Sequence, residues 1–358
     1  MITISLCMIV KDEEDVLGRC LDSVKNIADE IIIVDTGSKD KTKEIAYKYT
    51  NKVYDFKWAD DFSLARNYSF SKADKDFILW LDADDVIEEK DRKDFIKLKE
   101  TLDKNTDVVM MKYNTSFDSE GNVIFSYYRE RLLKNVHRDL WKGAVHEAIA
   151  PYGITIHSNI AVTHRKLKVS DPDRNLRIFE KLISDGVKLN PRELFYYSRE
   201  LYYHQKYHEA IGMFQRFLSL KDGFIENKID AARLLYKCYD IVGEDELAIE
   251  ALFKSFKYDI PRAEVCCDLG YYFMSKSKYD QAIYWYNRAL CCEKKDSLGG
   301  FILEECYNYI PLIQLCVCYD KIGNIKLANE YNELAGLFKP ASKEYKLNKK
   351  YFKDKLNK

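Results

Sequence analysis

The sequence predicts two domains of different class: an α/β domain with a mostly parallel, Rossmann-like sheet, then an all-α domain of helical repeats. Three observations carry this. Short β-branched runs alternate with helical stretches over roughly the first 165 residues, a rhythm that predicts parallel α/β architecture. After His164 strand signals become rare, and from Asp171 the chain turns to amphipathic helices rich in Tyr, Phe and Leu. Those helices also resemble one another at irregular intervals of 34 to 46 residues, which points to a solenoid.

The first domain, expected over 1–168, opens with a strand at Thr3–Val10 and a helix at Glu14–Asn26. Glu30–Asp35 is so apolar that both faces of this second strand must be covered. The turn Thr36–Thr42 follows, with Ser38 or Asp40 able to cap a helix reaching Tyr49. Lys52–Phe56 reads as a third strand, Ser63–Lys72 as a helix, and Phe77–Leu81 as a strand ending on Asp82. Val108–Tyr113 and Val123–Arg131 read as later strands, and Ala161–His164 as the end of a short one.

The second domain, expected over 169–340, repeats the segments that contain Ala210, Ala248, Ala282 and more loosely Ala328, at intervals of 38, 34 and 46 residues. These units resemble tetratricopeptide repeats, in which the alanine sits where two antiparallel helices approach closely. Residues 341–358 form a lysine-rich tail, either a terminal helix or a frayed end.

Composition narrows the function. With 57 basic and 58 acidic residues the formal net charge is −1, which gives no support for a nucleic-acid binder or a general membrane-surface protein. No run approaches the roughly 20 apolar residues of a membrane helix, and the first ten residues lack the features of a signal peptide. The ten cysteines form no CxxC pair, and the adjacent pairs Cys266-Cys267 and Cys291-Cys292 lie in apolar helical runs, so the set reads as reduced core thiols of a cytoplasmic protein.

The sharpest local feature is Phe77-Ile-Leu-Trp-Leu-Asp-Ala-Asp-Asp85. A strand ending in Asp82-Ala83-Asp84 projects carboxylates from its carboxyl end, where open α/β sheets bind ligands. Mg²⁺ or Mn²⁺ suits such oxygen donors together with substrate phosphates. A solvated strand end is the plainer reading of the same triplet. Two other clusters accompany it. In Trp58-Ala-Asp-Asp-Phe-Ser-Leu-Ala-Arg-Asn67 the planar fork of Arg66 can meet a diphosphate, with Asp61 or Asn67 orienting it; alternatively, Asp61 caps a helix and Arg66 pairs locally. In Trp141-Lys-Gly-Ala-Val-His-Glu147 the tryptophan can stack on a sugar face or belong to the core.

The elements Ser5–Glu13, Ile33–Ser38 with Asp40 and Thr42, and Leu81–Asp84 resemble the nucleotide-binding half of glycosyltransferase family 2, with its GT-A fold. The segments Trp58–Asn67 and Arg131–Asn135 followed by Trp141–Glu147 resemble a bacterial branch of that family. The resemblance implies that Val10, Glu13 and Asp35 hold base and ribose, although Asp35 can equally cap its turn. It implies a nucleotide-sugar site that includes Arg66, Asp82, Ala83 and Trp141, and a divalent metal (Mg²⁺ or Mn²⁺) held by Asp82, Asp84 and His164. A lone histidine is otherwise a structural hydrogen-bonder. Inverting transfer needs one base, assigned to Glu147 with His146 as its neighbour in the acceptor site or the base itself.

Fusion of this branch to helical repeats is similar to sublancin-type peptide S-glycosyltransferases and flagellin-modifying O-glycosyltransferases. That implies transfer of GlcNAc or Glc from a UDP-sugar to a polypeptide, on flagellin-like Ser/Thr or a peptide Cys. Rival readings are a lipid-linked or envelope glycan acceptor, and a non-catalytic nucleotide-sensing scaffold. The solenoid ends and tyrosine-rich helices leave a homo-oligomer open.

Overall fold

The computed structural model describes residues 1–117, 121, 123–136, 138–167, 171–294, 300 and 302–356. Its first unit, Met1–Lys188, is built on one eight-stranded sheet in the order β3-β2-β1-β4-β7-β6-β8-β5. The strands are β1 (Ile4–Val10), β2 (Glu30–Asp35), β3 (Val53–Asp55), β4 (Phe77–Trp80), β5 (Asp85–Val86), β6 (Val108–Phe117), β7 (Val123–Lys134) and β8 (Thr155–His164). The half formed by β3, β2, β1 and β4 is parallel. Beyond β4 the pairing becomes mixed: β7 runs antiparallel to both β4 and β6, β8 parallel to β6, and β5 antiparallel to β8. The sheet is therefore parallel where the alternating pattern predicts it and mixed where the long β6–β7 pair enters.

Helices α1 (Leu17–Val24), α2 (Thr42–Ala46), α3 (Phe62–Phe70), α4 (Glu89–Thr101) and α5 (Arg174–Ser184) complete the unit. Helix α1 forms because Leu17, Cys20, Leu21 and Val24 fall on one face and bury against β1 and β2. Each such side chain withdrawn from water contributes about 1.5–3 kcal/mol. Helix α4 is highly charged, and its apolar stripe is only Phe95, Leu98 and the capping Leu102, packed in the same core. Tertiary bonds add to it, with Lys99 donating to the Ile27 carbonyl at 2.8 Å and pairing with Asp29 at 2.7 Å.

The expected domain boundary at 168/169 lies outside the described residues, and the compact units divide between Lys188 and Leu189. Helix α5, placed in the repeats by sequence rhythm, belongs to the first unit. The cause is local: Lys181 pairs with Asp60, and the Arg174 guanidinium lies 4.7 Å from the Phe62 ring centroid.

The second unit, Leu189–Lys358, is helical throughout its described elements. It contains α6 (Pro191–Tyr203), α7 (Tyr207–Ser219), α8 (Ile225–Val242), α9 (Asp245–Lys254), α10 (Ala263–Ser275), α11 (Tyr279–Leu290), α12 (Tyr309–Lys321), α13 (Ile325–Phe338) and α14 (Lys343–Leu356). Ala210, Ala248, Ala282 and Ala328 fall in α7, α9, α11 and α13, the second helix of each pair, and all are fully buried. Twelve residues before them stand Ser198, Tyr236, Gly270 and Cys316 in the first helices, all buried. Gly270 has a packing reason, since a Cβ there would lie 2.7 Å from the Tyr286 ring. These are tetratricopeptide-like pairs, and the register read from sequence is the register of the packing. The lysine-rich tail is helix α14 over most of its length, docked on the last pair through buried Phe352.

Candidate active site

The site lies at the carboxyl ends of β1, β2 and β4. Two loops there are sewn together by the side chains of the second-strand turn. Ser38 Oγ accepts the Asp12 N–H at 2.9 Å, Thr42 Oγ1 the Glu13 N–H at 2.7 Å, and Asp40 the Glu14 N–H at 3.1 Å. Val10 ends β1 with its carbonyl accepting the Thr36 N–H at 2.9 Å. Asp35 ends β2, and its Oδ1 accepts the N–H groups of Gly37 and Ser38, both at 2.9 Å. The turn-capping role is thus real, yet it uses one oxygen. Asp35 Oδ2 is buried without a hydrogen-bond partner. A buried polar atom left unpaired costs about 1–3 kcal/mol, so this oxygen is an acceptor in want of a donor.

After β4 the aspartates separate by partner. Asp82 accepts from Arg66 Nη2 at 2.7 Å. Burial works against its charge, but Arg66 and Arg131 outweigh that and hold its carboxyl down at about 2. Asp85, fully buried, pairs with Arg131 at 3.0 Å and accepts from the Tyr113 hydroxyl at 3.0 Å and the Asp82 N–H at 3.0 Å. Arg131 is itself fully buried. Its guanidinium lies 3.8 Å from the Trp80 ring centroid and 4.3 Å from that of Tyr113, while Nε and Nη2 make no hydrogen bond. Stacking stands in for those missing bonds.

Asp84 meets His164 instead. The β5–β8 ladder sets Asp85 opposite His164, and the Arg165 N–H donates to the Asp84 carbonyl at 2.9 Å. His164 Nδ1 is 3.3 Å from Asp84 and 3.4 Å from Asp85. Hydrogen bonds to Asp84 and then Asp85 outweigh burial and push the imidazole up to about 10. Ligand atoms of Asp84, Asp85 and His164 lie within 4.8 Å of one another. Two carboxylates and an imidazole are a donor set that fits Mg²⁺ or Mn²⁺. Asp82 falls outside this cluster, contrary to the sequence reading, because its carboxylate is turned onto Arg66. The third member by position is Asp85, whose oxygens are already taken by Arg131, Tyr113 and backbone. Asp84 and His164 are therefore the groups best able to hold a cation, with Asp85 orienting them.

The two tryptophan-containing segments prove to be two halves of one structure. Asp61 caps α3, accepting the Leu64 N–H at 3.0 Å, and does not orient Arg66. Asn67 grips the backbone of Trp141, donating to its carbonyl at 3.1 Å and accepting its N–H at 3.0 Å. The Phe62 N–H donates to the Ala144 carbonyl at 2.8 Å. The 142–148 loop is closed by paired bonds between Lys142 and Ala148, both 3.1 Å. Two left-handed residues, Gly143 (φ +98°) and His146 (φ +51°), make that tight path possible. The outcome is that Arg66 Nε reaches Glu147 Oε1 at 2.6 Å.

Arg66 thereby makes the local pairing expected as the alternative to meeting a diphosphate, through Nε and Nη2. It bridges Asp82 and Glu147, and its guanidinium lies 5.1 Å from the Trp80 ring centroid and 4.8 Å from that of Trp141. Trp141 is 1% exposed and packs edge-on against Trp80 at 4.8 Å. It has no free face for a sugar, so the core reading of this residue is the correct one. Ala83 is also buried, and Glu13 is half-buried beside the first loop.

The sequence pattern described as Glycosyl transferase family 2 matches residues 5–157. This segment is a family 2 glycosyltransferase domain. The chain is 28% identical over 249 residues to the SPbeta prophage-derived glycosyltransferase SunS of Bacillus subtilis, covering 65% of this chain and 58% of that protein. It is 52% identical over 87 residues to a TPR repeat-containing protein of Synechococcus elongatus, 24% of this chain and 22% of that one. The chain thus spans about a fifth and somewhat over half of these curated relatives. Among solved structures, MamA aligns with a TM-score of 0.37 and 19% identity over 46% of this chain and 81% of that one. Among the described residues no helix is long and apolar enough to cross a membrane.

The family 2 domain thus contains the Asp84–His164 cluster and the Arg66-linked pair Asp82 and Glu147. Sequence reasoning missed Asp85, Tyr113, Trp80 and the role of Arg131. Asp85 stands directly after the triplet and Arg131 opens a quoted segment, but which carboxylate each arginine takes is decided by strand pairing.

Proposed function

We propose that this chain is an inverting glycosyltransferase that moves a sugar from a nucleoside diphosphate sugar, a UDP-sugar by this reading, to a polypeptide acceptor. The observation that carries the proposal is the single arginine joining Asp82, at the end of β4, to Glu147, with the Asp84–His164 cluster next in the chain. Donor-side and acceptor-side carboxylates are thereby fixed on either side of one guanidinium.

Asp35 Oδ2 accepts a uracil N–H or ribose hydroxyl, which satisfies the buried orphan oxygen. Val10 and Glu13 flank the nucleoside from the first loop. Asp84 and His164, with Asp82 nearby, would hold a divalent cation, whose charge would offset that of the diphosphate. Glu147 presents Oε1 to Arg66, and its Oε2 takes the acceptor proton. The acceptor oxygen or sulfur then bonds to the anomeric carbon as the C1–O bond to phosphate breaks, and the electron pair leaves with UDP. His146 lies beside the base. Helical repeats present long surfaces suited to extended chains, which favours flagellin-like Ser/Thr or a peptide Cys over a lipid-linked glycan.

The test separates donor binding from transfer. A screen of UDP- and GDP-sugars, GlcNAc and Glc first, names the donor. Glu147→Gln should then bind UDP with Mn²⁺ as tightly as the unaltered protein while losing transfer by about 100-fold or more. Normal transfer by Glu147→Gln would remove Glu147 from the role of base.

A further inference from the structure

We infer that Arg129 is the diphosphate-binding arginine of this site, a role that rests on the transferase reading above. The inference begins with a shortage. Arg66 and Arg131 are each tied to an aspartate of the strand-end motif and are 10% and 0% exposed at the side chain, so both lie buried behind it. A third arginine shares the same tryptophan. The Arg129 guanidinium lies 4.9 Å from the Trp80 ring centroid, and its side chain is 23% exposed, comparable with Asp84 at 21% and His164 at 25%.

Trp80, two residues before Asp82, places it. In the antiparallel ladder Phe77 faces Lys134, Ile78 faces Leu133 and Leu79 faces Leu132. Beyond Leu132 the register shifts, with Val109 facing Leu132 and Met110 facing Glu130, so β7 bulges at Arg131. Arg131 Nη1 donates to the Trp80 carbonyl at 3.2 Å, and the guanidinium groups of Arg131 and Arg129 lie 3.8 and 4.9 Å from the Trp80 ring centroid. Arg131 fills the interior behind the motif, and Arg129 stands at its solvent edge.

The hydrogen bonding of Arg129 leaves it capacity to act. Its Nε and Nη2 donate to the adjacent Glu130 at 3.3 and 3.0 Å, a contact between chain neighbours. A guanidinium has five N–H donors in a fixed fork, so Nη1 and the second Nη2 proton remain for an anion. Glu130 is a buried carboxylate on β7 that holds the fork on Trp80. Oxygens of a diphosphate beside Asp82–Asp84 then meet the partly exposed Arg129 guanidinium at the edge of the site.

The diagnostic measurement compares UDP with UMP, because only the former carries the phosphate in question. Binding of both to the full chain is measured calorimetrically with Mn²⁺. Arg129→Gln should weaken UDP by about 10- to 100-fold, the worth of a charge-assisted hydrogen bond, while UMP stays within about twofold. Arg129→Lys keeps the charge without the fork and should fall between. Retained UMP binding certifies a folded nucleoside site. An unchanged UDP-to-UMP ratio in both variants would overturn the assignment of Arg129 while leaving the transferase reading intact. Failure of the unaltered chain to bind either nucleotide would instead overturn the reading on which the assignment rests.

Discussion

Replacing Arg66 by methionine should destabilise the first unit through Glu147 far more than through Asp82. Removing one partner of a buried ion pair costs about 3–5 kcal/mol, because the other charge stays behind without compensation. The Glu147 side chain is 12% exposed and carries that cost. Asp82 is 34% exposed, so water recovers most of what Arg66 supplied, and its share is discounted to about 0–1 kcal/mol. The methionine occupies much of the same space between Trp80 and Trp141, which limits any cavity term. The expected loss is therefore about 3–5 kcal/mol, nearly all of it from Glu147.

The assay is urea unfolding followed by tryptophan fluorescence in a Trp285→Phe background, which leaves Trp58, Trp80 and Trp141 reporting on the first unit. Adding Glu147→Gln to Arg66→Met should return about 2 kcal/mol or more, since the stranded charge is gone. Acid supplies a second signature. The folded Asp82 carboxyl lies at about 2 against an ordinary 3.8, so its contribution is present above about pH 4 and is lost as pH falls through about 2. The gap between the unaltered protein and Arg66→Met should narrow below about pH 4. A loss under about 1 kcal/mol, or a strictly additive cycle, would refute the claim that Arg66 is the buried link between these carboxylates.

Asp85→Asn should destabilise the first unit by about 3–5 kcal/mol, because it strands fully buried Arg131, whereas Asp84→Asn, at a partly exposed position, should leave stability within about 0.5 kcal/mol. Equal effects on the midpoint would contradict the division of labour between the two aspartates. Asn67→Ala removes both bonds to the Trp141 backbone and should cost about 1–3 kcal/mol, with faster proteolysis at the 142–148 loop as the readout. Gly270→Ala sets a methyl 2.7 Å from the Tyr286 ring and should destabilise the helical unit by about 1–3 kcal/mol, measured by Trp285 fluorescence. Restoration by Tyr286→Leu would confirm the contact as the cause.

The architecture was legible wherever burial imposes a period. Strands β1, β2 and β4 are continuous apolar runs because the sheet is covered on both faces, and the four alanines repeat because each lies at a close helix crossing. Helix α4 was not read from the sequence: its apolar face is only Phe95, Leu98 and Leu102, a short stripe within a run of charged residues. Within the site, sequence brought the right segments together but not the right pairs. Asp82, Asp84 and Asp85 are adjacent in the chain and chemically alike. What separates them is that β7 presents Arg131 to one, α3 presents Arg66 to another, and β8 presents His164 to the third. Trp141 misled for a similar reason, since a tryptophan in a polar segment has the composition of a sugar platform and here the packing of a core residue.

The assignment of Asp84 and His164 as the cation-holding groups of a nucleotide-sugar transferase is tested most directly by UDP release from UDP-sugars at graded Mn²⁺. The unaltered chain should release UDP only with metal present. Asp84→Asn should lose that release by about 100-fold or more while keeping its unfolding midpoint. Full metal-dependent release by Asp84→Asn would contradict the account at its centre.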